Sequence, residues 1–230
     1  MPLPVLEAPK YNLVVPSTKK KLQYRPFLVK EEKILMIAQE SEDETQILNA
    51  IKEILVACTF GKFDPKENTS YDMEYIFLQL RSKSVGEKIQ LSIPCSKCST
   101  PNTVVVNLND IEIKYPEVEV DNKIQLSDDV GLVLKPISMS EAIAVQKDTS
   151  LERSIQAVID NVYDSESVYK LENFTKKEIS EFIDSFSHSS LEKIEEYITS
   201  QPTLEYTIKF KCSECGEENE QVLTGLESFF

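Results

Sequence analysis

The sequence predicts an α+β fold: a strand-and-helix region first, then two cysteine-bearing hairpins with a mostly helical segment inserted between them. Three observations predict it. Strand-like runs flank two C-x-x-C pairs, Cys95/Cys98 and Cys212/Cys215. Apolar residues recur at helical spacing through residues 47–58 and again in blocks between 139 and 199. Several of those blocks follow a Ser or Thr placed three residues before a Glu, the pattern of a capping box.

The elements follow in order. Residues 10–27 read as two short strands around a turn with Pro16, Ser17 and Thr18. A short helix is expected over 29–39. Ser41 with Glu44 is then read as a capping box, opening a helix that puts Ile47, Leu48, Ile51, Leu55 and Cys58 on one stripe. Cys58 is thus expected as a small buried hydrophobe. After Gly61 and Pro65, a helix over 70–83 carries Tyr71, Met73, Tyr75, Ile76, Phe77, Leu78 and Leu80 nearly all round, so both faces are expected to be covered. Gly86 ends this N-terminal region, 1–85.

Strands are expected at 87–95 and 103–108, and Ile111 to Tyr115 alternates strictly. Residues 123–126 and 130–134 form a hairpin with Ser127, Asp128 and Asp129 at its turn. Ser138/Glu141, Thr175/Glu178 and Ser189/Glu192 announce helices near 139–147, 151–162, 176–186 and 190–199. After Pro202, the strand at 204–210 leads into the second cysteine pair and 220–223 leads out. The ribbon then takes residues 86–108 and 203–230 with the C-terminal tail, and 109–202 is the insertion. Phe229 and Phe230 end the chain, to dock either on the body or on a partner.

Charge narrows the partners. Residues 1–37 hold seven Lys/Arg against three acids, a net of +4, so with a total of −14 the other 193 residues carry −18. So acidic a body gains nothing from phosphate backbones, and no nucleic-acid partner is expected. The basic segment either seeks an acidic partner surface or is a solvated hairpin tip. No apolar run approaches the roughly 20 residues of a membrane span. The start, Met1 to Glu7, lacks a basic region and a long apolar stretch, so no signal peptide is expected and the thiols are expected to stay reduced or to take up metal.

The cysteines carry the sharpest chemistry. Two residues between the members of each pair let a tight turn aim both sulfurs at one point. Two such turns supply four thiolates for tetrahedral Zn²⁺, so Cys95, Cys98, Cys212 and Cys215 are expected to bind one structural zinc per chain in a zinc ribbon. Gly216, after Cys215, suits a left-handed turn position; Ser99 holds the equivalent place in the first knuckle. Lys97, Lys209 and Lys211 are expected to offset the site's negative charge, and Glu214 to oppose them. The pairs are 113 residues apart, far more than in a compact ribbon, but closure cost grows only logarithmically with length. A redox dithiol, two unrelated thiol turns or a nucleic-acid-binding ribbon are the alternatives. With all four positions filled by Cys, no coordination place is left for a substrate. His188 is the single histidine and reads as a loop residue, and the five glycines form no phosphate-binding loop. No enzyme is expected.

Residues 19–38, Lys19 through Tyr24, Arg25 and Glu31 to Ala38, together with 71–86 and the closing Leu223-Thr-Gly-Leu-Glu-Ser-Phe-Phe, resemble the baseplate hub proteins of T4-type tailed bacteriophages. The resemblance spans nearly the whole chain. It implies a non-enzymatic role in the central hub of a contractile-tail baseplate, as subunit or assembly factor, with other hub or tail proteins as partners. It implies action in the host cytoplasm during assembly, or in the virion baseplate. The zinc assignment does not draw on the resemblance; it rests on spacing and flanks alone.

Overall fold

The structure, a computed structural model, describes residues 6–118 and 120–229, Glu227 by its backbone alone. The chain folds as two units. The first takes Met1–Asp64, Tyr71–Lys114 and Thr203–Phe230, and the second takes Pro65–Ser70 and Tyr115–Pro202.

In the first unit, β1 (Tyr11–Val14) and β2 (Lys21–Tyr24) pair antiparallel, with Leu13 opposite Leu22 and both buried. Asp72 fastens the turn, accepting from the Ser17 amide and hydroxyl. Three helices follow: α1 (Val29–Glu40), α2 (Glu44–Cys58) and α3 (Ser70–Ser84). α2 is capped by Asp43, not by a Ser41/Glu44 box. The Asp43 carboxylate accepts from the Thr45 and Gln46 amides, while Ser41 ends α1 and its hydroxyl donates to the Ala38 carbonyl. Asp43 is the better cap because its ionised oxygens meet the positive helix end. Ile54, Leu55 and Cys58 of α2 and Ile76, Phe77, Leu78 and Leu80 of α3 are at most 1% exposed, which makes these two helices the core.

α1 is different. It buries Glu31 and Ala38 and leaves Val29, Met36 and Ile37 exposed. Glu31 goes inward because Arg25 is there: Nη2 lies 2.8 Å from Oε1, and Glu31 Oε2 accepts from the Leu28 amide at 2.9 Å.

After α3 come β3 (Lys88–Pro94) and β4 (Pro101–Asn107), a hairpin in continuous register from Lys88↔Asn107 to Pro94↔Pro101, and then β5 (Glu112–Lys114). The second unit follows. Its sheet opens with β6 (Lys123–Gln125) and β7 (Gly131–Leu134), joined as expected through a turn in which Ser127 Oγ accepts from the Val130 amide. Helix α4 (Met139–Lys147) is capped by Ser138. Helix α5 (Leu151–Val158) runs straight into β8 (Ile159–Tyr163), which pairs with β7 on one side and β9 (Val168–Tyr169) on the other. Helices α6 (Lys176–Asp184) and α7 (His188–Thr199) complete the unit.

Three expectations fail here for identifiable reasons. Segment 109–202 is mixed rather than mostly helical, with a four-stranded sheet in the order β6-β7-β8-β9. The helix expected over 151–162 ends at Val158. Ile155, Val158, Ile159 and Val162 fit the helical period, yet the last two take β form, and Val162 lines up with Leu132 on the free side of β7. Pairing with β7 overrides the local pattern. α7 is capped by Ser187, which accepts from the Ser190 amide, instead of by a Ser189/Glu192 box. The Thr175/Glu178 box of α6 forms in full, each side chain bonding the other residue's amide. Ile124, Leu132, Leu134, Ile155 and Ile194 centre this unit's own core.

The chain returns to the first unit through β10 (Thr203–Lys211) and β11 (Glu218–Thr224), an antiparallel hairpin that also pairs β10 with β5. A 3₁₀ turn over Leu226–Phe229 follows, and Phe229 is 1% exposed. The terminal aromatic at 229 thus docks on its own unit; Phe230 lies outside the described residues.

Candidate metal centre

The two knuckles are built alike. In the first, the Cys95 amide donates to the Thr100 carbonyl at 2.9 Å and the Ser99 amide to the Cys95 carbonyl at 3.0 Å. In the second, the Cys212 amide donates to the Glu217 carbonyl at 2.8 Å and the Gly216 amide to the Cys212 carbonyl at 3.1 Å. Ser99 (φ +58°) and Gly216 (φ +72°) both take left-handed backbone at the equivalent step.

The hairpins β3–β4 and β10–β11 bring the knuckles face to face. Cys95 Sγ lies 3.7 Å from Cys215 Sγ, Cys98 Sγ lies 3.6 Å from Cys212 Sγ, and all four sulfurs lie within 4.8 Å of one another. Sulfurs bound at ~2.3 Å around a tetrahedral Zn²⁺ sit about 3.8 Å apart, so the cluster has the dimensions of a four-thiolate site. A disulfide needs a separation of ~2.05 Å, and all five cysteines are free thiols. Cys58, the fifth, is buried in α2 as expected.

Electrostatics favour the thiolate in part of the cluster. The amides of Cys215 and Glu214, helped by the Cys98 and Asn102 side chains, draw the Cys212 thiol down to about 6. The Cys98 and Lys97 amides lower Cys95 in the same way. Cys215 gains from the Glu217 amide, but Cys98, burial, Cys212 and Cys95 outweigh it and push it up to about 12. Four thiols this close cannot all ionise without a cation among them. Of the lysines near in sequence, Lys97 is raised first by Glu217, at 2.8 Å, and also by the charges of Cys215 and Cys95, so it does offset the cluster, whereas Lys209 is paired with Glu220 at 3.1 Å. Backbone N–H groups and two asparagine amides supply further positive ends at the sulfurs.

Those asparagines are absent from the sequence reading. Asn219 Oδ1 accepts from the amide and the hydroxyl of Ser96, both at 2.8 Å, in the opposite knuckle. Asn102 Oδ1 accepts from the Ser213 amide at 2.9 Å and its hydroxyl at 3.1 Å. The relation is reciprocal. Its signal is a longer repeat, C-S-x-C-x-x-x-N, at 95–102 and again 117 residues later at 212–219.

The family model described as T4 bacteriophage base plate protein matches residues 8–230. The chain belongs to this family. The resemblance carried by residues 19–38 and 71–86 is thereby borne out. The chain is also 23% identical over 223 residues to the baseplate hub assembly protein gp26 of Enterobacteria phage T4, covering 96% of this chain and 98% of that protein. No solved structure matches.

His188 opens α7 in the second unit, its side chain 88% exposed and 3.5 Å from Glu192. A hollow of about 340 Å³ in that unit is lined by Val162, Tyr169, Phe174 and Phe182 with Asp164 and Glu178. Both carboxylates are engaged locally, Asp164 by the Tyr169 hydroxyl and Glu178 by Thr175. No helix among the described residues is long and apolar enough to cross a membrane.

Proposed function

We propose that this protein acts without catalysing a reaction, in assembly of the baseplate central hub, by contacts with other hub or tail proteins in the infected cell. The observation that carries this reading is the near end-to-end similarity to a baseplate hub assembly protein. Residue-level features support it. Val29, Met36 and Ile37 stand exposed on one side of α1, and Lys30 and Lys33 of the same helix are exposed too, an apolar and basic surface suited to an acidic protein partner.

Within that role, one structural Zn²⁺ on Cys95, Cys98, Cys212 and Cys215 clasps the two hairpins into a zinc ribbon. The spacing of the sulfurs supports the ligand set. Sulfurs approach one another across the two hairpins, Cys95 to Cys215 at 3.7 Å and Cys98 to Cys212 at 3.6 Å, which favours a shared metal over redox chemistry within one C-x-x-C. Glu214, Glu217, Glu218 and Glu220 crowd the second knuckle and disfavour phosphate, so protein is preferred to nucleic acid as partner.

Co-purification from infected cells tests the role, with the proteins of mature particles compared alongside. Recovery of baseplate hub or tail proteins with the tagged chain is expected; a chain that purifies alone, or that is retained on DNA at moderate salt, overturns it. Elemental analysis tests the metal separately, with one zinc per chain expected.

A further inference from the structure

We infer that Asn102 and Asn219 are positioning residues of the cysteine cluster, each locking the opposite knuckle in its metal-ready shape and donating to one buried ligand sulfur. The inference rests on the metal reading above and goes beyond it: the clasp is assembled before an ion arrives.

Each amide is fully used. Asn219 spends Oδ1 on the amide and hydroxyl of Ser96, and its Nδ2 donates to the Glu217 carbonyl at 3.0 Å and to Cys95 Sγ at 3.5 Å. Asn102 spends Oδ1 on Ser213, and its Nδ2 donates to the Thr100 carbonyl at 2.8 Å and to Cys212 Sγ at 3.7 Å. The side chains are 7% and 8% exposed, so these bonds form with little competition from water. A carboxamide is the group that fits: it offers two acceptor and two donor places at one fixed plane. Aspartate would keep the acceptor half, lose the donors, and set a negative charge beside a thiolate.

The arrangement also sorts the four sulfurs. Cys95 and Cys212, the first of each pair, are buried and receive an asparagine N–H; Cys98 and Cys215 are exposed and receive none. A hydrogen bond from a neighbouring group orients a ligand and adjusts its basicity, so the pair under the asparagines is the more firmly oriented, while the exposed outer pair faces the side from which an ion enters.

The experiment uses the full chain with Co²⁺ and Zn²⁺, measured by competition against a chromophoric chelator. Asn102→Ala and Asn219→Ala are each expected to keep one ion per chain but to bind it about 10- to 100-fold more weakly. Asn219→Asp keeps the acceptor for Ser96 and loses the N–H on Cys95. Its cobalt complex is expected to show the sulfur-to-metal charge-transfer band moved to longer wavelength, since an unbonded thiolate is the better electron donor. If the alanine variants do not fold, Asn219→Asp and Ser96→Ala carry the test. A folded variant with wild-type affinity and an unmoved band overturns the inference while leaving the metal reading intact. Wild-type protein that takes up no ion overturns both.

Discussion

Ser99 and Gly216 occupy the same step of two facing knuckles, both in left-handed backbone, at φ +58° and +72°. For an L side chain that region costs roughly 1–2 kcal/mol, and glycine adopts it freely. The serine is therefore the strained member of the pair. Ser99→Gly is expected to stabilise the protein, by less than about 1 kcal/mol because glycine also gains freedom in the unfolded chain. Gly216→Ala is expected to destabilise by about 1 kcal/mol. Its new Cβ would meet only Lys211 Cε at 3.8 Å, so the cost comes from backbone alone. Urea unfolding of the three proteins, with metal held in excess, checks both signs.

How much of this was readable beforehand depends on whether a feature is local. Gly216 and Ser99 are legible as a matched pair because each is fixed by its distance from a cysteine. The Thr175/Glu178 box is legible for the same reason. Ile159 and Val162 are not, since their spacing suits a helix and only the presence of β7 makes them a strand. Asp43 and Ser187 lose to Ser41 and Ser189 on paper because several cap-capable residues stand within three positions of each other. Asn102 and Asn219 gain their role only where the two knuckles face each other, and the repeat at 117 residues is their trace in the sequence.

Cys58 and Cys212 separate the two roles of cysteine in this chain. Cys212→Ser removes one of the four proposed ligands and is expected to abolish stoichiometric zinc in the purified protein. Cys58→Ser is expected to leave zinc at one per chain and to cost about 1–2 kcal/mol, because the new hydroxyl must find a partner in the core beside Arg25 Nη1, now 3.5 Å from the sulfur. Elemental analysis paired with thermal melts distinguishes them. Loss of zinc in Cys58→Ser would contradict the assignment.

The same buried thiol sets an alkaline limit on stability. Burial, against the pull of Arg25, pushes Cys58 up to about 11, and burial followed by Tyr11 and Tyr75 pushes Tyr24 up to about 12. Both groups have a folded value above the unfolded one, so the unfolded chain loses its protons first. Their contribution is complete below about pH 8.5 and is lost as pH rises through 9 to 11 for Cys58 and 10 to 12 for Tyr24. For fully buried Cys58 the loss is on the order of 2–3 kcal/mol. Unfolding free energy measured from pH 8 to 11 is expected to fall, and Cys58→Ala to flatten most of the slope.

Glu31 holds Arg25 in a nearly dry setting, with side chains 3% and 13% exposed. The hydrogen bonds from Arg25 and the Leu28 amide overcome desolvation and keep its carboxyl below the ordinary range. Glu31→Gln strands the guanidinium, and a cost of roughly 2–4 kcal/mol is expected, somewhat under a fully buried pair because Arg25 keeps some water. The double variant Arg25→Met/Glu31→Leu is expected to recover much of that loss, since it removes both charges together. A double variant as unstable as Glu31→Gln would mean that the two side chains matter through the α1 entry bond to Leu28, and not as an ion pair.

Phe229 decides between two uses of an aromatic C-terminus. Gly225, at φ +71°, turns the chain so that its amide donates to the Leu204 carbonyl at 3.0 Å, and the 3₁₀ turn that follows puts Leu226 and Phe229 inside. A phenylalanine reserved for a partner would be exposed in the free protein; this one is 1% exposed. Phe229→Ala is therefore expected to cost about 3–5 kcal/mol of unfolding free energy, the usual price of emptying a buried aromatic site. Deleting residues 226–230 should cost at least as much, and any loss of co-purifying tail proteins should then follow the loss of fold. Equilibrium unfolding of the truncated chain separates the cases: full stability with lost partners would put the docking role back on the terminus.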